Sequence, residues 1–171
     1  MIKNIALIIA HIGYQPMEYG VPKRIFQEAG YNVVTVSDKA GKAQGGDGSK
    51  TDVDLVLSKL NSDDYEAIVF VGGGGALDHL DNDLSYRIIQ KAVMANKVVA
   101  AICIAPRILA KAGALVTHKA TGWDEDGLLK GVFDKHAVIY ENAPVVKDKR
   151  VVTARGPMEA EAFAHAVLSE I

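Results

Sequence analysis

Uninterrupted apolar runs alternate along the chain with stretches whose apolar residues recur every three or four positions. The runs at 5–10, 67–71 and 98–102 contain no polar residue, and a fourth run at 33–36 contains only one threonine. A strand that helices cover on both faces has no solvent-facing side, so such runs are typical of parallel sheets. The pattern therefore predicts an α/β protein with a mainly parallel central sheet.

Helical periodicity between these runs predicts three amphipathic helices, at 19–29, 84–95 and 158–171. Gly30 is expected to end the first helix in a left-handed conformation, with Pro22 in its first turn. Asn82 or Asp83 is expected to cap the second helix.

The remaining segments predict short strands and turns. Four glycines between positions 41 and 48 are more than a strand interior tolerates, so this segment is interpreted as a turn between short strands. Two β-branched runs around a charged turn at 144–154 predict a hairpin. Because no linker interrupts the alternation, we expect one domain spanning residues 1–171.

Composition excludes several classes of partner. The chain has 171 residues and a net charge of −2, which leaves no basic surface for a nucleic acid. No apolar run is long enough to cross a membrane, so no membrane partner is expected. The single cysteine excludes an intrachain disulfide, and a cytoplasmic location is expected.

That cysteine, Cys103, stands where a buried strand is predicted to turn into a helix. The sequence Ala-Ala-Ile-Cys-Ile-Ala-Pro at 100–106 places Pro106 in the first helical turn, which is the layout of a nucleophile elbow. The thiol would point above the carboxyl ends of the strands, near the positive end of the helix, and a thiolate is expected. The alternative from these residues alone is a small core residue.

Two further features are expected at the same sheet edge. The glycines 72–75 follow another strand and would offer backbone N–H groups to an oxyanion, the alternative being a flexible loop. Glu18 follows the first strand and should reach the same crevice, although a carboxylate there could also simply cap a helix.

Four motifs spread along the chain belong together. They are Pro16-Met17-Glu18-Tyr19 with Pro22, Val71-Gly72-Gly73-Gly74, Ala100-Ala101-Ile102-Cys103 with Ala105-Pro106, and Val151-Val152-Thr153-Ala154-Arg155-Gly156-Pro157. As a set they resemble the PfpI/ThiJ/DJ-one superfamily, which has a class I glutamine amidotransferase-like fold. The resemblance covers nearly the whole chain.

The resemblance implies a flavodoxin-like three-layer sandwich that forms a homodimer or a larger homo-oligomer. It implies Cys103 as the nucleophile and Glu18 as its carboxyl partner, and no cofactor is expected. No metal is expected either, because the histidines do not cluster with one another or with the cysteine. The oxyanion donors would be Gly72, Gly73 and the N–H of Ile104. An ionised Glu18 would repel a thiolate, so we expect its carboxyl to be mostly protonated.

The chain departs from the family at two positions. PfpI-type peptidases carry a histidine directly after the nucleophile, where this chain has Ile104. The deglycase-like branch supplies a histidine from a later loop, where this chain has Trp123. His118 is the candidate substitute, and we expect Trp123, Gly74 and His118 to line the pocket.

Three functions follow as hypotheses. The first is a cysteine-dependent enzyme that acts on a small-molecule carbonyl substrate, with glyoxalase or deglycase-like activity, since small aldehydes need less activation than amides. The second is an intracellular cysteine peptidase or amidase with a recruited base. The third is a redox sensor or chaperone without enzymatic activity, in which Cys103 is oxidised.

Overall fold

The computed structural model describes all 171 residues. The strands are β1 (Asn4–Ile9), β2 (Ile12–Tyr14), β3 (Asn32–Ser37), β4 (Gly41–Gly45), β5 (Lys50–Val53), β6 (Leu55–Val56), β7 (Ala67–Phe70), β8 (Val98–Ile102), β9 (Lys119–Ala120), β10 (Ile139–Tyr140), β11 (Val145–Asp148) and β12 (Val151–Ala154). The helices are α1 (Pro16–Glu28), α2 (Ala76–Leu80), α3 (Asp83–Met94), α4 (Pro106–Lys111), α5 (Leu129–Lys135) and α6 (Ala160–Leu168). None of them is both long and apolar enough to span a bilayer.

Seven strands form the central sheet in the order β11-β12-β8-β7-β1-β3-β6. All neighbours pair in parallel except β11, which is antiparallel to β12. The four apolar runs form β1, β3, β7 and β8, and the residues of β1, β7 and β8 after Asn4 are almost completely buried. The predicted mainly parallel sheet and the C-terminal hairpin are confirmed.

Two apolar layers flank this sheet. One layer packs against α3, α4 and α5 through Ile88, Leu109 and Phe133. The other packs against α1 and α6 through Phe26 and Phe163. The three-layer sandwich is confirmed.

The register of the parallel strands brings several strand ends together at one edge. Phe70 near the end of β7 pairs with Ile8 of β1 on one side and with Ala101 of β8 on the other. The glycine loop after β7 and Cys103 after β8 are therefore neighbours at the carboxyl edge, where open α/β sheets place their sites.

Three predicted boundaries are wrong. α1 begins at Pro16, because the Gln15 side chain accepts hydrogen bonds from the next backbone N–H groups, and Pro22 therefore lies in its second turn. Residues 41–45 form β4, which pairs with β5, so only the tip of the glycine-rich segment is a turn. α6 is shorter than predicted, since a 3-10 helix occupies Pro157–Glu159.

The predicted ends of two helices are confirmed. The Asn82 side chain accepts a hydrogen bond from the Ser85 N–H at the start of α3. Gly30 has a φ of +89° after α1, the left-handed conformation expected there.

Candidate active site

Cys103 lies on the tight turn between β8 and α4, as predicted. Its N–H donates to the Ala154 carbonyl at 2.9 Å, and its own carbonyl accepts from the Trp123 N–H at 2.8 Å. The φ angle of Cys103 is +64°, a left-handed conformation that is unfavourable for a residue with a side chain. Hydrogen bonds on both sides hold this strained residue, whose thiol is partly exposed.

Glu18 reaches the same edge from the first turn of α1. It is completely buried, and its Oε2 accepts a hydrogen bond from the Gly72 N–H at 2.9 Å. Its Oε1 has no hydrogen-bond partner of normal geometry. The carboxyl nevertheless lies close enough to the Cys103 thiol for each group to shift the pKa of the other.

The glycine loop brings these two groups together because it carries no side chain. A Cβ on Gly72 would lie 2.6 Å from the Cβ of Cys103 and 2.7 Å from Oε2 of Glu18. Both distances are shorter than a Cβ atom tolerates, so a side chain at position 72 would push the thiol and the carboxyl apart.

Two of the three predicted oxyanion donors face the sulfur. The backbone N–H groups of Gly73 and Ile104 interact with the Cys103 thiol and favour its negative charge. The N–H of Gly72 is occupied by Glu18, so the prediction for this donor is wrong. The site therefore offers two N–H groups to a charge that develops beside the sulfur.

The pKa of Glu18 shifts in the direction expected from the sequence, and that of Cys103 shifts in the opposite direction. Burial raises the pKa of the Glu18 carboxyl to about 7. Burial and the Glu18 charge raise the pKa of the Cys103 thiol to about 12, against the smaller opposite effect of the Gly73 and Ile104 N–H groups. This direction is opposite to that expected for a thiolate, because removal from water and a nearby carboxylate outweigh the backbone dipoles.

A surface cleft of about 590 Å³ adjoins this pair. Cys103 does not line the cleft itself but is hydrogen-bonded to Trp123, which does. The lining residues are Gly122, Trp123, Asp124, Glu125, Tyr140, Asn142, Arg155, Gly156, Pro157, Met158 and Glu159. Trp123 therefore lies at the pocket as predicted.

The other two predicted pocket residues do not line this cleft. Gly74 is exposed and outside it. His118 lines a separate cavity of about 160 Å³ with Lys97 and Arg150, which precede β8 and β12. Cys103 follows the other end of β8, and the five residues of this strand span roughly 16 Å. His118 therefore lies at the opposite end of the sheet from Cys103.

Sequence reasoning assigned no role to two arginines at this site. Arg155, which follows β12, lines the cleft and donates to the Asn142 side chain. Arg107 follows Pro106 on α4 and is 4% exposed. The only available signal was a charged residue within a helix expected to pack on the sheet.

No group of three or more His, Cys, Asp or Glu side chains is arranged to hold a metal ion.

Comparisons with known proteins agree with this architecture. The DJ-1/PfpI family profile matches residues 3–170. An uncharacterised protein of Methanocaldococcus jannaschii is 35% identical over 98% of this chain and 82% of its own length. A Bacillus subtilis protein named "Putative cysteine protease YraA" is 33% identical over 95% of both chains.

The solved structures extend the agreement to the fold. A ThiJ/PfpI domain protein from Brachyspira murdochii superposes with a TM-score of 0.92 at 30% identity, covering 99% of this chain and 96% of its own. The fold and the elbow define an α/β protein of the ThiJ/PfpI type. The chain belongs to the DJ-1/PfpI family.

Proposed function

We propose that this protein is a cysteine-dependent enzyme that converts small α-oxoaldehydes, a glyoxalase or deglycase-like activity. Cys103 is the nucleophile, Glu18 moves the protons, and no cofactor takes part. The observation that carries the proposal is the buried Glu18 carboxyl, with a pKa of about 7, beside a partly exposed thiol that two backbone N–H groups face.

The first step uses Glu18 as a general base. A group with a pKa near the working pH transfers protons efficiently in both directions. The Glu18 carboxylate takes the thiol proton while sulfur bonds to the aldehyde carbon. The carbonyl oxygen becomes an alkoxide facing the Gly73 and Ile104 N–H groups, and Glu18 then protonates it to give a hemithioacetal.

The second step rearranges this adduct. Glu18, again a carboxylate, removes the proton from the carbon that bears sulfur and delivers it to the adjacent carbon of the former ketone. The hydroxyl proton of the adduct passes to the former ketone oxygen, which leaves a thioester of a 2-hydroxy acid. Water cleaves the thioester, releases the acid and restores the thiol. The net reaction adds one water to the oxoaldehyde.

Peptide cleavage has less support at this site. Amide attack needs a base that can also protonate a leaving amine, which cysteine peptidases obtain from histidine. Position 104 is isoleucine, and no histidine lines the cleft. The relative named as a cysteine protease keeps this activity as the second candidate.

Methylglyoxal consumption by matched variants tests the proposal. We expect Cys103→Ala to abolish turnover and Glu18→Gln to reduce kcat by roughly 10² to 10⁴-fold, the usual contribution of a positioned base. Glu161→Gln, which changes an exposed carboxylate on α6, is the control and should match the wild type.

Two outcomes would contradict the proposal. Turnover that survives in Cys103→Ala would mean that the thiol is not the nucleophile. A wild-type protein that leaves methylglyoxal unchanged but cleaves a peptide in a Cys103-dependent way would assign the site to the peptidase alternative.

A further inference from the structure

Arg107 is a buried cation next to the nucleophile elbow that the proposed chemistry does not use. Its side chain is 5% exposed, and two of its nitrogens bind the Asp126 carboxylate at 2.9 and 2.6 Å. A buried guanidinium is costly unless carboxylates or carbonyls satisfy its donors. Arg107 therefore helps to fix the position of the chain segment that supplies these acceptors.

The acceptors come from the loop that contains Trp123. Arg107 also donates to the Trp123 carbonyl at 3.2 Å, and its guanidinium carbon lies 5.5 Å from the centre of the indole ring. A guanidinium at this distance from an indole makes a favourable cation–π contact. The Arg107 side chain thus contacts the Trp123 backbone, the Trp123 ring and the Asp126 carboxylate of the same loop.

The same loop is tied to the nucleophile and shapes the cleft. The Trp123 N–H donates to the Cys103 carbonyl, and both Trp123 and Asp124 line the cleft. Asp124 accepts from the Leu129 N–H at 2.7 Å, which joins the loop to the start of α5. Arg107 is the link between this loop and α4, the helix that follows the elbow.

We propose that Arg107 is a positioning residue that holds the Trp123 indole as a wall of the cleft beside Cys103, and thereby limits the size of the electrophile that reaches the thiol. The proposal deepens the proposed function, because it names what restricts the substrate to a small carbonyl compound. Its test below uses thiol accessibility, which does not depend on methylglyoxal turnover.

Trp123 is the only tryptophan of the chain, so its fluorescence reports directly on this wall. Arg107→Met keeps the bulk of the side chain and removes the guanidinium. Asp126→Asn removes only the carboxylate charge, and Asp126 is 30% exposed. Arg24→Met is the matched control, since one Arg24 nitrogen donates to both carboxylate oxygens of Glu28, at 2.9 and 3.0 Å, on the exposed face of α1.

The readouts are the emission maximum of Trp123 and the ratio of Cys103 alkylation rates with a bulky maleimide and with iodoacetamide. In Arg107→Met we expect a red-shifted emission and a rate ratio that rises by about tenfold, because a charge-assisted hydrogen bond and a cation–π contact are lost. Asp126→Asn should shift both readouts in the same direction by less, and Arg24→Met should leave both unchanged.

The proposal would be overturned if Arg107→Met had an unchanged emission maximum and a rate ratio within about twofold of the wild type. A twofold change in this ratio corresponds to a free-energy difference under about 1 kcal/mol. An equal rise in Arg24→Met would overturn it too, since it would indicate general loosening. Circular dichroism checks folding, and if Arg107→Met does not fold, Asp126→Asn decides. Loss of methylglyoxal turnover with the expected alkylation pattern would leave this proposal standing and count only against the proposed reaction.

Discussion

Glu18 has two opposing effects on the sulfur of Cys103. As a carboxylate it raises the thiol pKa, which suppresses the thiolate that peroxides and alkylating reagents attack. As a base it supplies proton transfer at the moment a carbonyl carbon arrives. The carboxylate therefore lowers the reactivity of the resting thiol toward these reagents.

Glu18→Gln should lower the thiol pKa of Cys103 from about 12, because the neutral amide removes the carboxylate charge while occupying the same space. The rate of iodoacetamide alkylation measured against pH gives this pKa. At pH 7.5 the variant should react faster than the wild type, although it turns over methylglyoxal more slowly.

Glu18→Asp serves as the comparison, because it keeps the charge and shortens the side chain. An alkylation profile of Glu18→Gln that coincides with the wild-type profile would show that the carboxylate does not act on the sulfur.

Among the structural elements, the glycine loop between β7 and α2 is packed unusually closely against the backbone of β2. A Cβ on Gly75 would lie 1.8 Å from the Ile12 carbonyl oxygen, which belongs to the backbone and cannot turn away. Gly74, the preceding residue, has open space around it. The two positions therefore differ in packing, and neither needs a positive φ.

Gly75→Ala should lower the free energy of unfolding by about 2 kcal/mol or more, since the two backbones must move apart. Gly74→Ala should stay within about 0.5 kcal/mol of the wild type, as expected for an exposed position. Urea unfolding of both variants checks this pair. Equal effects at the two positions would show that the loop is free to shift.

The elements differ in how far the sequence determined them. The buried strands were predictable because helices cover both faces, so that each strand is a short, uninterrupted apolar run. Residues 41–45 were misassigned because their glycine content suggests a turn. Composition does not show that this segment pairs with β5. The start of α1 depended on Gln15, an uncommon capping residue.

The site residues that directly follow predicted strands were predictable from the sequence. Those that depend on packing between segments far apart in the sequence were not. The elbow and Glu18 follow directly from strand ends, which parallel register brings together. The Arg107 contacts join residues 16 to 19 positions apart, and the location of His118 depends on which end of β8 its loop approaches. Neither relation leaves a periodic signal in the sequence.

For the whole molecule, the buried carboxyl should make stability depend on pH. Glu18 has a pKa of about 7 in the folded protein and near 4.5 in the unfolded chain. Between these values the folded protein holds a proton that the unfolded chain has released, so stability falls as the pH rises. Below pH 4.5 the penalty is absent, and above pH 7 it is fully present.

Glu18→Gln should remove this fall, because an amide does not titrate. A shift of this size corresponds to about 3 kcal/mol, so relative to the wild type the variant should gain up to that amount in unfolding free energy between pH 4.5 and pH 8. Urea unfolding at pH 4.5, 6 and 8 measures the difference, and at pH 8 the thiol is still mostly protonated even in the unfolded chain, where its pKa is near 9. Glu161→Gln, an exposed carboxylate, should run parallel to the wild type over this range. Parallel curves for Glu18→Gln as well would mean that the folded protein does not raise the Glu18 pKa, and the general-base role proposed for this carboxyl would lose its physical basis.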